Sequence, residues 1–198
     1  LNPAGADVIM RYTLRLLTTQ QFQRAGLLFC AMEHVRRLAG NREMLGDPEF
    51  RLGMWVGGAA TPNTRQKARS ALKQLETSPE SENPFVLLKC PWCNAKFGPV
   101  EEDRIAGRPT GRGRRRRISG KKVYGYTTYR FQGQGQQTVA YRCNDPACEF
   151  GENPARPGVP PLPILVIDED IFDRPPNLII GTVDKFAMVA WKPETRRI

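Results

Sequence analysis

The sequence contains a single histidine, His34, and no apolar run long enough to cross a membrane. One histidine gives little support to a histidine-ligated catalytic metal or to a nucleophile paired with an imidazole base. A membrane-spanning helix needs about 20 consecutive apolar residues, and the first residues lack the pattern of a signal peptide. The sequence therefore predicts a soluble, cytoplasmic protein without membrane contact.

A phosphate-binding loop is also missing. No Gly-x-x-x-x-Gly-Lys-Ser/Thr motif occurs in the chain, and that motif holds the nucleotide phosphates and supplies a Mg²⁺ ligand in many nucleotide hydrolases. We therefore expect the chain to be unable to hydrolyse ATP alone. Because it begins with Leu1 rather than Met and ends at Ile198 within a charged stretch, we also expect it to be a piece of a longer protein.

Acidic residues are absent from the most basic segment of the sequence. The net charge is +10, and residues 104–122 contain nine Lys or Arg and no Asp or Glu, which leaves one net positive charge for the rest of the chain. At the centre of this segment stand Arg114, Arg115, Arg116 and Arg117. Such a cluster favours a polyanion such as nucleic acid, although a solvated basic loop without a partner is the alternative interpretation.

Four of the five cysteines form two close pairs. Cys90 and Cys93 are separated by Pro-Trp, and Cys143 and Cys148 by Asn-Asp-Pro-Ala. Two turns that each offer two thiolates predict a closed tetrahedral zinc site of the structural type. The fifth cysteine, Cys30, falls near the apolar face of a predicted helix and is expected in the core.

The remaining pattern predicts an α/β fold with a mainly parallel sheet. Its strands and helices divide the chain into residues 1–84, an insertion with the cysteines at residues 85–150, and a return segment at residues 151–198 that starts with a proline-rich connector. The predicted strands are residues 6–12, 51–56, 122–131, 138–142, 164–167 and 178–180, and the predicted helices are residues 18–38, 61–76 and 183–191.

Three loops follow predicted strands and precede predicted helices. The first contains Arg11 and Thr13, the second Gly57 and Gly58, and the third Thr182 with Lys185 close behind it. Ligands of open α/β sheets collect beyond the carboxyl ends of the strands, and helix N-termini attract phosphate. A tight structural turn is the alternative interpretation of the Gly-Gly pair.

The order of these loops resembles the nucleic-acid-gripping series of superfamily 2 helicases, namely motif Ia, the Gly-Gly motif and motif Ib. Residues 10–21, 53–63 and 175–187, with the cysteine insertion between the last two, are more closely similar to the helicase subunit of the bacterial DISARM anti-phage system. The resemblance implies part of a RecA-like motor domain. It also implies that Arg11, Thr13, Gly57, Gly58, Thr182 and Lys185 hold the phosphates of one strand.

The resemblance further implies an ATP-driven DNA translocase or remodeller that works in antiviral defence with other subunits of the system. RNA remains open as a substrate. ATP and Mg²⁺ are expected for the full-length parent protein only. A different class of function, also open, is a non-enzymatic zinc-containing module that binds nucleic acid or serves as a scaffold.

The sequence following the predicted strand at residues 164–167 carries three acidic residues in a row. Asp168 and Glu169 at the end of an apolar strand look like the carboxylates that hold Mg²⁺ and activate water in motor proteins. However, they precede the motif Ib-like loop, whereas the acidic box of helicases follows it. Their interpretations are therefore catalytic carboxylates, including those of a hydrolase or nuclease, or strand-end carboxylates without a catalytic role.

Overall fold

The computed structural model describes residues 5–13, 15–46, 48–58, 60–105 and 117–198. In chain order its elements are β1 (Val8–Tyr12), α1 (Arg15–Arg37), α2 (Asn41–Leu45), β2 (Leu52–Trp55), α3 (Arg65–Thr77), β3 (Gly98–Ile105), β4 (Arg117–Tyr124), β5 (Tyr126–Tyr129), β6 (Thr138–Tyr141), β7 (Ile164–Leu165), α4 (Asp168–Asp173), β8 (Leu178–Thr182) and α5 (Val183–Ala187). Two 3₁₀ turns follow, at Met188–Ala190 and Pro193–Arg197. Among the described residues, no helix has the length and apolar character that crossing a membrane requires.

A four-stranded parallel sheet in the order β1-β8-β2-β7 confirms the predicted α/β class. The inner strands β2 and β8 bury alternate side chains on opposite faces, as the two-residue period of a strand requires, whereas Val8, Ile9 and Met10 of the edge strand β1 are exposed. Met54 and Ile180 join one apolar cluster with Phe22 of α1. Trp55 and Ile179 join a second cluster on the other face, with α4.

The cysteine-bearing segment forms two antiparallel ribbons, β3 with β4 and β5 with β6. The prediction of one continuous strand over residues 122–131 is wrong, because Gly125 separates β4 from β5. Gly125 has φ of +85°, and a Cβ placed there would lie 2.1 Å from Cγ of Phe97. Only glycine satisfies both conditions.

Several predicted boundaries also need correction. The second long helix starts at Arg65 rather than at residue 61, because Thr64 provides its N-cap by accepting a hydrogen bond from the Lys67 N–H at 3.2 Å. The first helix begins at Arg15, three residues before the predicted start. The predicted helix at residues 183–191 ends as α5 at Ala187 and continues as a 3₁₀ turn.

Candidate metal centre and nucleic-acid interface

The first cysteine pair lies in a tight turn closed by backbone hydrogen bonds. The N–H of Asn94 donates to the carbonyl of Cys90 at 2.9 Å, and the N–H of Cys90 donates to the carbonyl of Ala95 at 2.8 Å. Asn94 has φ of +64°, a left-handed conformation that asparagine tolerates better than most residues. This turn directs the thiols of Cys90 and Cys93 towards the second pair.

The second pair lies in a loop whose backbone approaches itself closely. The carboxylate of Asp145 accepts a hydrogen bond from the N–H of Ala147 at 2.9 Å, and the N–H of Cys143 donates to the carbonyl of Phe150 at 3.2 Å. A Cβ at Gly151 would lie 2.0 Å from the carbonyl oxygen of Asp145. The loop therefore closes only with glycine at this position.

The four predicted ligands come together. The Sγ atoms of Cys90, Cys93, Cys143 and Cys148 all lie within 4.8 Å of one another, with Cys93 to Cys143 at 3.4 Å and Cys90 to Cys148 at 3.9 Å. Four thiolates on a tetrahedral zinc ion stand about 3.8 Å apart, since each Zn–S bond is about 2.3 Å. The set therefore has the donor atoms and spacing to hold a metal ion such as zinc.

Within the cluster, the pKa shifts favour the anionic form of one thiol, that of Cys90. The interaction with the Cys143 side chain lowers the pKa of Cys90 and raises the pKa of Cys143, and burial raises the pKa of Cys148 to about 12. The thiolate is the form that binds metal. Cys30 is fully buried in the neighbouring core, as predicted, and burial raises the pKa of its thiol.

The four-cysteine cluster is built into the main core rather than held apart from it. Cys90, Cys143 and Cys148 belong to the same apolar cluster as Phe29 and Cys30 of α1. A Cβ added at Gly26 would lie 3.4 Å from Cβ of Pro91, so α1 and the first cysteine turn are in close contact. The ring of His34 lies 5.1 Å from the ring of Trp92, the residue that stands between Cys90 and Cys93 in the sequence.

The carboxyl ends of the parallel strands meet at one edge of the sheet. Tyr12 of β1 pairs with Thr182 of β8, and Trp55 of β2 pairs with Gly181. The three loops that were predicted to bind phosphate therefore follow neighbouring strands at the same edge. We call this region, comprising Arg11, Thr13, Gly57, Gly58 and Thr182, the strand-end edge.

Its residues differ in accessibility. Arg11, Thr13 and Gly58 are exposed, and Gly57 is half-buried. A Cβ on Gly58 would lie 2.8 Å from the amide nitrogen of Asn63, so the loop packs its glycine against that side chain. Thr182 is buried, and its hydroxyl has no hydrogen-bond partner among the described residues.

Lys185 lies behind this edge, in a buried ion pair. Its ammonium is 2.8 Å from Oδ2 of Asp168 and donates to Oδ1 of Asn63 at 3.2 Å, and both charged side chains are almost fully buried. Burial raises the pKa of Asp168, an effect that the Lys185 ammonium opposes. A direct contact of Lys185 with a phosphate would require this pair to open.

Glu169 caps a helix. Its Oε2 accepts a hydrogen bond of 2.8 Å from the backbone N–H of Arg65, the first residue of α3. The side chain of Arg65 reaches Asp170 at 2.8 Å and Asp173 at 2.6 Å. Sequence reasoning missed Asn63, Arg65 and Asp170, because their partners are distant in the chain and no local pattern marks them.

The basic segment is only partly described. Arg114, Arg115 and Arg116 lie outside the described residues, and Arg117 is described only as the first backbone position of β4. The role of the basic segment in nucleic-acid binding therefore stays a prediction.

No protein-family model matches the chain. Among curated proteins, the chain is similar to the DISARM protein DrmA of Bacillus paralicheniformis, with 27% identity over 203 residues. The alignment covers 96% of this chain but 14% of that relative. The chain thus spans about one seventh of the length of DrmA and is related to one portion of it.

Proposed function

We propose that this chain is the nucleic-acid-binding portion of a larger ATP-dependent helicase or translocase that acts in DISARM-type defence against phage. The observation that carries the proposal is the strand-end edge, where the exposed residues Arg11 and Thr13 and the Gly57-Gly58 loop lie on either side of the end of β8. Similarity to DrmA along 96% of the chain supports the defence role.

In this proposal the exposed side chains and the glycine backbone of the edge hold phosphates of one DNA strand. Such contacts position the strand without reading its sequence. A structural zinc ion on the four cysteines stabilises residues 85–150. Asp168 and Glu169 serve as structural carboxylates, since one is paired with Lys185 and the other caps α3.

Other parts of the parent protein would bind ATP and Mg²⁺, and other defence subunits would be its partners. The sequence that flanks this segment in the gene distinguishes a motor from a non-enzymatic zinc module. A phosphate loop upstream and an Asp-Glu-x-His-like box downstream support the motor. Absence of both from the complete gene supports the module.

Replacing Arg11 by Gln is expected to weaken binding of the 198-residue chain to single-stranded DNA. The lost phosphate contact should make the plot of log affinity against log salt less steep by about 0.7, the value for one contact on a single strand. Fluorescence anisotropy with labelled oligonucleotides across a salt series measures both quantities, and an RNA oligonucleotide of the same sequence compares the two nucleic acids.

Arg42→Gln provides the matched control, because Arg42 is an exposed arginine on α2 without an ion-pair partner among the described residues. Equal effects of the two substitutions would show that only net charge matters. Such a result would contradict a specific role of the strand-end edge.

Replacing Arg114, Arg115, Arg116 and Arg117 by Ala should flatten the salt dependence further, by about 0.7 to 0.9 for each phosphate contact that is lost. The same four positions changed to Lys keep the charge and should keep the slope. If the Ala variant retains the affinity and the slope of the parent chain, the basic segment is not part of the interface.

A further inference from the structure

A groove lies between α1 and the first cysteine turn. Its volume is about 730 Å³. One wall is a single face of α1 with Gln20, Gln23, Arg24 and Leu27, residues that recur at helical spacing. The other wall includes Leu88, Lys89 and Asn94. We call it the α1 groove.

The charge of this groove is of one sign. Its lining residues include Arg24 and Lys89 and no Asp or Glu. Both cations are exposed and have no ion-pair partner among the described residues. Lys96, which forms a β-bridge with Lys89, adds a third exposed cation next to it. The groove is therefore electrostatically suited to an anionic chain.

Its other groups suit the bases of a nucleic acid. The side-chain amides of Gln20, Gln23 and Asn94 both donate and accept hydrogen bonds. Leu27 and Leu88 are 50% and 54% exposed, and they offer apolar contact to base faces. Cavities of about 300–1,000 Å³ enclose ligands of drug size. A groove of this volume has room for one or two nucleotides of a single strand.

The groove begins a short distance along α1 from the strand-end edge. Helix α1 begins directly after the loop that follows β1, and Gln20 is five residues into the helix. Five residues advance about 7.5 Å along a helix axis. An occupant of the edge therefore needs little additional length to reach the first side chains of the groove.

We infer that the α1 groove binds single-stranded nucleic acid, continuing the strand held at the strand-end edge. Arg24 and Lys89 contact phosphates, while the amides and leucines contact bases without strong sequence preference, as in other single-strand channels. The inference rests on the proposed nucleic-acid binding of the chain. It assigns the first cysteine turn a direct part in that binding, in addition to holding metal.

The test compares two double variants. The groove variant combines Arg24→Gln and Lys89→Gln, and the control variant combines Arg42→Gln and Lys73→Gln, which removes the same charge from α2 and α3. Anisotropy with oligo(dT) of increasing length is measured across a salt series. The groove variant should lower the slope by about 1.4, since each of two contacts contributes about 0.7. This loss should appear only with oligonucleotides long enough to leave the edge. Metal content must equal that of the parent chain, because Lys89 adjoins Cys90.

A photocrosslinking residue at Leu88 should attach to bound oligo(dT), whereas one at Met44, which is 78% exposed on α2, should not. If Arg11→Gln weakens binding while the groove variant matches its control and Leu88 does not crosslink, the groove inference is wrong and the proposed function stands. If the parent chain binds no nucleic acid, both fail. If poly-glutamate competes equally with oligo(dT) for the groove, its ligand is an acidic peptide and the inference is overturned.

Discussion

Cys90→Ser is expected to abolish stoichiometric zinc binding and to unfold residues 85–150. Structural zinc in small modules contributes about 10–16 kcal/mol at neutral pH, and without the metal such modules are unfolded. Replacing one of four thiolates removes a strong ligand and leaves three buried or half-buried thiols without their shared cation. We therefore expect loss of most of this free energy.

The packing of this chain predicts that the damage spreads. Cys90, Cys143 and Cys148 share an apolar cluster with α1 and with Leu52 of the parallel sheet. The T-shaped contact between Trp92 and Phe150, with ring centroids 5.7 Å apart, joins the two cysteine loops directly. Loosening these loops would expose the underside of α1, so the sheet should unfold at lower denaturant concentration as well.

Elemental analysis of the purified chain gives the metal stoichiometry, and urea unfolding followed by circular dichroism gives the stability. Cys30→Ala is the control, since Cys30 is buried beside the cluster and lies outside the four-cysteine set. The control should keep one zinc per chain and lose only the stability that a small cavity costs. Cys90→Ser with unchanged zinc content and unchanged unfolding would overturn the metal assignment.

The cysteine set was predictable from sequence because its information is local. Ligand type, pair spacing and a proline in each turn are all visible within a few residues, and the structure brings all four thiols together. The parallel sheet was predictable for a similar reason, since apolar strands alternate with helical patterns. Strand order was not, because pairing between β1 and β8 joins residues about 170 positions apart.

Errors in the predicted elements have identifiable physical causes. Thr61 and Thr64 are equally suited by type to cap α3, but tertiary packing buries Thr61 and leaves the cap to Thr64. The tyrosine-rich run around residue 125 alternates like one strand. Phe97 packs closely against Gly125, and the strand ends there. In both cases a distant contact decided between locally equivalent structures.

The buried network behind the strand-end edge could not be predicted at all. Asp168 begins α4, Lys185 lies in α5 and Asn63 precedes α3. The sequence singles out Asp168 and Lys185 for other roles, but nothing in it pairs them with each other or with Asn63. The resemblance to helicases assigned Lys185 to phosphate, whereas its ammonium is engaged with Asp168. The two roles predict different effects of removing Lys185. Loss of the ion pair should lower stability, whereas loss of a phosphate contact should weaken nucleic-acid binding and leave stability intact.

Lys185→Met is expected to destabilise the chain by about 3–5 kcal/mol at neutral pH. The substitution preserves the length of the side chain but leaves Asp168 as a buried charge without its partner, the costly way to break such a pair. Lys121→Met is the matched control, since Lys121 pairs with Glu80 at 2.6 Å on the surface. Solvent screens such surface pairs, so this control should unfold almost as the unsubstituted chain does.

Two further measurements identify the cause. Burial already raises the pKa of Asp168, and removing Lys185 should raise it more. A group whose pKa is higher in the folded than in the unfolded chain stabilises the fold at low pH. That stabilisation is lost as the pH rises through the folded-state pKa. The stability that Lys185→Met loses should therefore be small below about pH 3.9, the ordinary pKa of aspartate, and grow towards neutrality.

Adding Asp168→Leu to Lys185→Met should recover most of the lost stability, because apolar replacement of both partners is often neutral. If the deficit is independent of pH and the double variant recovers nothing, the two residues do not stabilise the chain as a pair. If Lys185→Met also leaves stability intact while abolishing DNA binding, the lysine opens to contact phosphate, as the helicase resemblance implies.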